Sequence, residues 1–582
     1  MNIIGYLHGR DPAACLVQNG CVLSYVEEER LVRFKHAPSI FPVRSIESCL
    51  QSARLQLNDI DFIVFGYDAP RYSNGEMGKF YRQVNSIFPP GPATRAWQER
   101  NMVMLAEKTL RTRLERELLV HFGARRIPEL RFYPHHRSHA AATFFLSPFD
   151  EALVLTLDGS GDHQCTTLWK GTRQSLELIQ EFHIPHSFGW FYSAVTEYLG
   201  FAAYDGEYKV MGLAAYGREN LEIRRALDQV LRAGPEGAYF LEPRYIHHGP
   251  HTYSDRFTDD LVELLGIPPR IGRAPITAIH EDLAFEAQRS LEERVLDLLT
   301  HAQNISGQKN ICIGGGVGQN VKLNGRIHAA GLFDNIFLFP IPSDSGTSVG
   351  AALGLYNEIT GNRPEPLQHI YWGPTYKDED ILEELQSCGI SFRTIVNIEE
   401  EVARLIASGM IVGWFQAGME GGPRALGARS ILADPRDINS RERVNAAIKF
   451  REYWRPFCPS IAEEAVERFV AKPTKAPFMI MSFNATEYAR RTVPAVVHVD
   501  GTMRIQTVDN AANPRFYKLL KAFEKITGIP VLLNTSFNIK GEPIVCSPRD
   551  ALRTFWATGL DALAIGGFLV EKPESPQGVR FR

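Results

Sequence analysis

Long hydrophobic runs are missing from this 582-residue chain. No apolar stretch reaches the ~18 residues that cross a bilayer. Arg10 and Asp11 interrupt the stretch where the apolar core of a signal peptide would stand. Cysteine is sparse: the eight residues at 15, 21, 49, 165, 312, 388, 458 and 546 are scattered and form no Cys-x-x-Cys pair. Several lie in apolar runs, so reduced, buried thiols in a cytosolic protein are expected. An excess of one charge is also missing. With 63 Lys and Arg against 67 Asp and Glu, the net charge of −4 argues against a nucleic-acid-binding protein. The expectation is a cytoplasmic protein with neither membrane nor nucleic acid as partner; nothing in the sequence speaks to its oligomeric state. The chain is too long for one core and predicts about two to four domains.

Positive charge, though balanced overall, is concentrated in one place. Gly422-Pro423-Arg424-Ala425-Leu426-Gly427-Ala428-Arg429-Ser430 opens a segment that also holds Arg436, Arg441, Arg443, Lys449, Arg451 and Arg455. Glycine lets backbone N–H groups approach an anion, and arginine offers a planar fork that fits phosphate oxygens. A compact phosphorylated substrate is one reading of this segment, and a solvated basic patch is the other.

Two stretches look like versions of one another. Ile3–Tyr6 leads through Asp11 and Ala13–Val17 to Asn19-Gly20 and a returning strand. Ala152–Leu157 leads through Asp158-Gly159-Ser160-Gly161-Asp162 to two further strands separated by Lys170-Gly171. Each reads as an apolar strand, a polar Asp/Gly turn and a return, and Asn-Gly is a hairpin signal. Their repetition predicts a duplicated α/β fold whose acidic turns face a nucleotide and its cation. A third glycine signal follows. Strand Asn310–Ile313 feeds Gly314-Gly315-Gly316-Val317-Gly318-Gln319-Asn320, which opens a helix toward Ala329. This is an anion or ribose site at a helix N-terminus, or merely a close helix–sheet contact. It is not a Walker motif, because no Gly-Lys-Ser/Thr closes it. A helix over Thr347–Tyr356 follows Asp344, and 361–366 is a linker candidate. Strands at Ile411–Phe415 and before Asn534-Thr535-Ser536-Phe537-Asn538 mark a second α/β region.

Tyr133-Pro134-His135-His136-Arg137-Ser138-His139 supplies metal-ligand chemistry. On a helix starting at Pro134, His135 and His139 share one face. Two imidazoles with the carboxylates of Asp158 and Asp344 suit a first-row divalent ion. Helix capping or core hydrogen bonding by these histidines is the alternative.

Taken together, these residues resemble the O-carbamoyltransferase family of antibiotic and nodulation-factor biosynthesis. The resemblance rests on Glu27-Glu28-Glu29-Arg30 with Lys35-His36, His135-His136-x-x-His139 and Gly206-Glu207-Tyr208-Lys209-Val210-Met211-Gly212-Leu213. It continues through the Gly314–Asn320 turn, Gly422–Gly427, Arg451-Glu452-Tyr453-Trp454-Arg455-Pro456-Phe457, His498-Val499-Asp500 and Asn534–Asn538. It implies an actin/Hsp70/sugar-kinase-like duplicated domain over 1–360, similar to threonylcarbamoyl transferases. A second α/β domain over 361–582 would be similar to threonylcarbamoyl-adenylate synthases. It further implies that carbamoyl phosphate and ATP form carbamoyl adenylate, from which a hydroxyl of a small natural product or sugar takes the carbamoyl group. Arg424, Lys449, Arg455, Arg504 and Ser536 would hold carbamoyl phosphate, and Lys209, Gly315, Gly316, Gly318 and Asn320 the nucleotide. His135, His139, Asp158 and Asp344 would hold Fe(II) or another divalent ion, and Mg is the further cation ATP implies. Lys35, His36 and Arg10 would face the acceptor or adenylate.

The chain departs from this family at one point. The family's His-Asp-x-Ser-Ala-Ala turn reads Arg10-Asp11-Pro12-Ala13-Ala14 here, and an arginine cannot act as a base. His8, Asp11 or another residue is left to act as the catalytic base. A sugar-kinase-like phosphotransferase would use the hairpins but leave the basic C-terminal region without a role. An ATP-gated assembly protein of the actin type would need the hairpins alone.

Overall fold

The computed structural model describes residues 1–572 apart from 125, 248–255, 273 and 453, so Tyr453 of the Arg451–Phe457 motif lies outside the described residues. Two units are distinguished. One comprises Met1–Ser24 and Ser39–Leu367, the other Tyr25–Pro38 and Gln368–Arg582.

The first unit repeats one sheet plan. Strands β1 (Asn2–Leu7), β2 (Ala13–Gln18) and β3 (Cys21–Glu27) form a meander, and β4 (Phe62–Phe65) and β5 (Glu129–Phe132) extend it in the order β3-β2-β1-β4-β5. β1 runs antiparallel to β2, while β4 and β5 add parallel. The second sheet copies this plan with β6 (Ala152–Gly161), β7 (Gln164–Gly171), β8 (Leu176–His183), β9 (Asn310–Gly314) and β10 (Asn335–Leu338). Its order is β10-β9-β6-β7-β8, with β6–β7–β8 antiparallel and β9 and β10 parallel. This repeated α/β sheet plan is the duplication that the paired hairpins predict.

Local chemistry explains the elements. Asn19 and Gly20 take φ of 50° and 84°, the left-handed pair of a tight hairpin. The second hairpin differs from expectation. Asp158 does not end its strand: β6 continues to Gly161, and the tip falls at Asp162, with φ 53°. The β6–β7 register shifts between Leu157 and Gly161, a bulge that re-aims side chains without ending the strand. Helix α1 (His135–Phe145) starts after Pro134, and α2 (Thr347–Thr360) packs against both α1 and β1. The approach is close. A Cβ on Gly350 would sit 1.8 Å from the Ser138 carbonyl oxygen, and one on Gly5 would sit 1.9 Å from that of Ser348. The buried core beneath the first sheet joins Ile4, Leu16, Ile63 and Phe65 to Leu110, Leu114 and Leu118, one face of the helix Glu107–Phe122.

The second unit is built on an eight-stranded mixed sheet. Its strands are β11 (Arg393–Thr394), β12 (Val412–Phe415), β13 (Arg429–Ala433), β14 (Cys458–Ala462), β15 (Gln506–Val508), β16 (Val531–Ser536), β17 (Ala562–Ile565) and β18 (Phe568–Glu571). They lie in the order β11-β18-β17-β12-β13-β16-β14-β15. Helices Ile398–Ala407 and Pro514–Thr527 bury Val402, Ile406, Phe516, Leu520 and Phe523 against Trp414 and Leu532 of the sheet. All eight cysteines are free; Cys388 is exposed and Cys21 partly so, and the other six are buried as expected.

Candidate functional site

In the first unit the histidine cluster is assembled from three elements. The i, i+4 spacing on α1 sets the Nε2 atoms of His135 and His139 3.1 Å apart. The β6 bulge brings Asp158 Oδ2 to 3.3 Å from His135 and 3.8 Å from His139. Asp344, in the turn that opens α2, places Oδ1 3.7 and 3.8 Å from the same two nitrogens. All four donor atoms lie within 4.8 Å of one another. Metal–ligand bonds of ~2.1 Å separate neighbouring ligands by about 3–3.5 Å, so the set fits a first-row divalent ion. The electrostatics agree. Burial opposes charge on His135, but the hydrogen bond to Asp158 and the charges of Asp344 and Asp158 raise it to about 9. The same two carboxylates that favour a proton on His135 would favour a metal ion in its place.

Support for this cluster comes from residues the sequence reading did not single out as ligands. Asp162 accepts the backbone amides of His135 and Asp68, and burial raises its carboxyl to about 6. His136 turns away from the cluster and bonds Thr156 Oγ1 through Nδ1 at 2.6 Å. The Tyr67 ring lies tilted at 49° to that of His135, with centroids 4.5 Å apart. A second convergence, His163 with Glu181 and His183, also forms. There Arg71 lies against the His163 ring nitrogens at 2.8 and 2.9 Å, a cation where an ion would bind.

The glycine turn adjoins this cluster. Gly315 adopts φ 84°, and a Cβ there would meet the Leu157 carbonyl oxygen at 2.2 Å. The Gly316 amide donates to Asp158 Oδ1 at 3.2 Å. Gly318 lies in the 3-10 turn Gly316–Gln319. Asn320 caps the helix Val321–Ala330, and its amide exchanges hydrogen bonds with Gln288. Lys209 sits on the short helix Glu207–Leu213, 5.5 Å over the Phe201 ring. His8 is packed among Tyr6, Phe41 and Phe65. Burial, then the Arg113 charge, lowers its imidazole to about 3. Arg10 and Asp11 occupy the turn after β1, with Asp11 at φ 51°. Lys35 and His36 belong to the second unit. There Glu29 accepts the His36 amide at 2.6 Å and lies 3.9 Å from Lys35.

In the second unit the basic segment separates into two groups. Lys449 is buried, and its ammonium donates to the carbonyl and side-chain oxygens of both Ser536 and Asn538. Burial, followed by the charges of Arg451 and Arg455, pushes Lys449 well below the usual lysine range. Arg455 lies 3.7 Å from Glu452, and Arg451 stacks 4.1 Å over Phe457. Arg504 Nε donates to Cys458 Sγ at the start of β14, which pairs with Asn534 of β16 two residues before Ser536. Arg424 lies in the Gly422–Gly427 loop, whose Ala425 carbonyl accepts from Asn534 at 3.3 Å.

The other cations of the segment serve the fold. Arg429 is fully buried, donates to the carbonyls of Gln416, Ala417 and Pro374, and stacks 3.7 Å over Phe415. Arg436 pairs with Asp434, and Arg443 bonds the Gly409 carbonyl and pairs with Asp561. Nor does the glycine loop present its amides to a substrate. Glu420 Oε1 takes the N–H groups of Leu426, Ala428 and Arg429, Ser430 Oγ takes that of Gly427, and Glu27 takes that of Gly422. A buried carboxylate from the chain itself thus accepts three of the amides at the end of this loop.

A duplicated α/β unit with a histidine–aspartate cluster is thus joined in sequence to a mixed-sheet unit holding a buried lysine among arginines. Residues 2–353 match the family described as Carbamoyltransferase N-terminus, and residues 403–572 match Carbamoyltransferase C-terminus. The chain belongs to the carbamoyltransferase family and is a carbamoyltransferase. It is 38% identical to Nodulation protein NolNO of Sinorhizobium fredii, over 97% of this chain and 79% of that protein. Nodulation protein NolO of Bradyrhizobium diazoefficiens is 38% identical over 75% of this chain and 78% of its own length. An uncharacterised Synechocystis protein, sll1178, is 37% identical over 99% and 97%. Among solved structures, component A of an Acidaminococcus fermentans (R)-2-hydroxyglutaryl-CoA dehydratase covers 62% of this chain and 98% of its own at 14% identity. Its TM-score of 0.33 carries no functional argument. No helix among the described residues is long and apolar enough to cross a membrane.

Proposed function

We propose that this carbamoyltransferase is an ATP-dependent O-carbamoyltransferase that works through carbamoyl adenylate. The observation that carries the reading is Lys449, a buried lysine with Arg451 and Arg455 as electrostatic neighbours and only neutral oxygens as hydrogen-bond acceptors. Such a group is stabilised by an incoming dianion, which restores the charged state that burial opposes. Carbamoyl phosphate is that dianion, with Arg424, Arg455, Arg504 and Ser536 completing its cradle.

In the proposed sequence, water opens the carbamoyl–phosphate bond and inorganic phosphate leaves. A carbamate oxygen then attacks the α-phosphorus of ATP, and pyrophosphate leaves with the P–O electron pair. At the first unit an acceptor hydroxyl oxygen attacks the carbamoyl carbon, AMP departs, and the hydroxyl proton passes to a base. In this reading Asp11 is that base, because His8 is packed away among Tyr6, Phe41 and Phe65. Lys209 and the Gly315–Gly318 turn hold the nucleotide. His135, His139, Asp158 and Asp344 hold a divalent ion, Fe(II) by the resemblance, which when bound supplies positive charge to polarise the carbamoyl oxygen or steady the AMP phosphate. Residues 1–360 carry the transfer step and 361–582 the adenylation step, in the cytoplasm, where ATP and carbamoyl phosphate are supplied. The acceptor in this reading is a hydroxyl of a small natural product or sugar, as the family resemblance implies.

The test is pyrophosphate release by the purified chain. Carbamoyl phosphate and ATP together are expected to release pyrophosphate, and either alone is not. Release that ignores carbamoyl phosphate, or transfer of the γ-phosphate to an acceptor, would favour the kinase reading.

A further inference from the structure

Arg256 is fully buried, and none of its three guanidinium nitrogens has a hydrogen-bond partner among the described residues. Its backbone is well held: the amide donates to Glu197 Oε2 at 3.0 Å, and the carbonyl accepts from His247 at 2.9 Å. The carboxylate of Glu197 thus takes the amide of Arg256 and leaves the guanidinium to other partners. What the guanidinium does touch is an aromatic face, its carbon lying 4.6 Å from the centroid of Tyr204. A second guanidinium, that of Arg10, lies 4.0 Å from the same centroid. Tyr204 itself takes φ 68°, unusual for a tyrosine, with its backbone amide donating to Glu207 Oε1 at 2.7 Å. A ring face attracts cations, but two cations on one ring repel each other, and the ring supplies no hydrogen-bond acceptor. A buried guanidinium without an acceptor is stable only where something anionic completes it.

The location gives this arrangement meaning. Arg10 stands in the turn after β1. Tyr204 is close enough to Tyr67 to oppose its ionisation, after burial and the charges of Asp344, Asp162 and Asp158. Tyr67 in turn packs on His135. One aromatic side chain therefore separates the arginine-flanked ring from the histidine cluster.

We infer that Arg256 and Arg10, ordered on Tyr204, form an oxyanion subsite for the acceptor, so that the hydroxyl compound carbamoylated here carries a carboxylate or phosphate. Bidentate pairing with the Arg256 fork fixes that group and presents a neighbouring hydroxyl toward the cation cluster. The inference rests on the proposed transfer reaction for its meaning, but the subsite can be tested without it.

The probe is selenate. In crystals of the full chain soaked in selenate, an anomalous peak is expected within hydrogen-bonding reach of the Arg256 guanidinium, and Arg256→Met crystals are expected to lack it. Absence of the peak in the wild type would overturn the inference. Thermal melting guards against a structural role. Without added anion, Arg256→Met is expected to melt no lower than wild type, because an uncompensated buried charge has been removed. A large fall in Tm together with no selenate peak would assign Arg256 to the fold. Competition identifies the source of the anion. Displacement of selenate by glycerate, a hydroxy acid, supports an acceptor subsite. Displacement by AMP but not glycerate assigns the anion to the nucleotide and overturns the acceptor reading. Failure of pyrophosphate release would sink the proposed reaction while leaving the selenate result standing.

Discussion

The Nε2 atoms of His135 and His139 lie 3.1 Å apart, with Asp158 within 3.8 Å of both. Two bare imidazole nitrogens at that distance are stable only when a proton or a metal ion lies between them. Replacing either histidine with alanine is expected to weaken divalent-metal binding by at least about tenfold. Metal content after dialysis, measured by mass spectrometry, checks this.

The same pair predicts a pH dependence. His135 is raised to about 9 from an unfolded value near 6.5. Its protonation therefore stabilises the metal-free protein fully below pH ~6.5, and that contribution is lost as pH rises through about 9. Metal must displace this proton, so binding near pH 7 is expected to release a proton to buffer. Calorimetry in buffers of different ionisation enthalpy measures the release.

Lys449 separates catalysis from stability. Lys449→Met removes a cation whose burial opposes its charge, so the Tm is expected to hold or rise. Pyrophosphate release should nonetheless fall by about 10²–10³-fold. A parallel loss of both would mean that Lys449 only ties Ser536 to Asn538.

Glu420 is the hub of the glycine loop. Glu420→Ala leaves the buried amides of Leu426, Ala428 and Arg429 without their acceptor. A loss of about 3 kcal/mol in urea unfolding is expected, with Glu420→Gln much milder.

The candidate base can be settled by comparing two neighbours. His8→Asn is expected to leave the pH profile of carbamoyl transfer without a change near pH 6–7, because His8 is already neutral there. Asp11→Asn should lower transfer by about 10²-fold or more. A profile limb that disappears in the His8 variant would reverse the assignment.

Much of this could be read locally. Asn19-Gly20 dictates a hairpin, Pro134 starts a helix, and the four-residue spacing of His135 and His139 puts them on one face. The Gly315 turn and its helix follow from glycine and an Asn320 cap. The position of Asp158 was anticipated only in part. The bulge that turns it toward α1 depends on its pairing with β7. Arg429 illustrates the converse. In the sequence it is one of eight clustered cations, but in the fold it braces the carbonyls of Gln416, Ala417 and Pro374. Only the burial of each arginine distinguishes a ligand from a brace, and burial is not written in a charge run.

The amino-acid order alone determined the repeated hairpins, the helix carrying the imidazoles and the position of the late basic segment, because each depends on residues a few places apart. Tertiary structure decided that Asp344 meets His135 across 209 positions of sequence, that Glu420 fills the glycine loop, and that Arg256 lies buried beside Tyr204. These depend on which distant charges lose water together, and the cost of that desolvation is set only when the chain has closed around them.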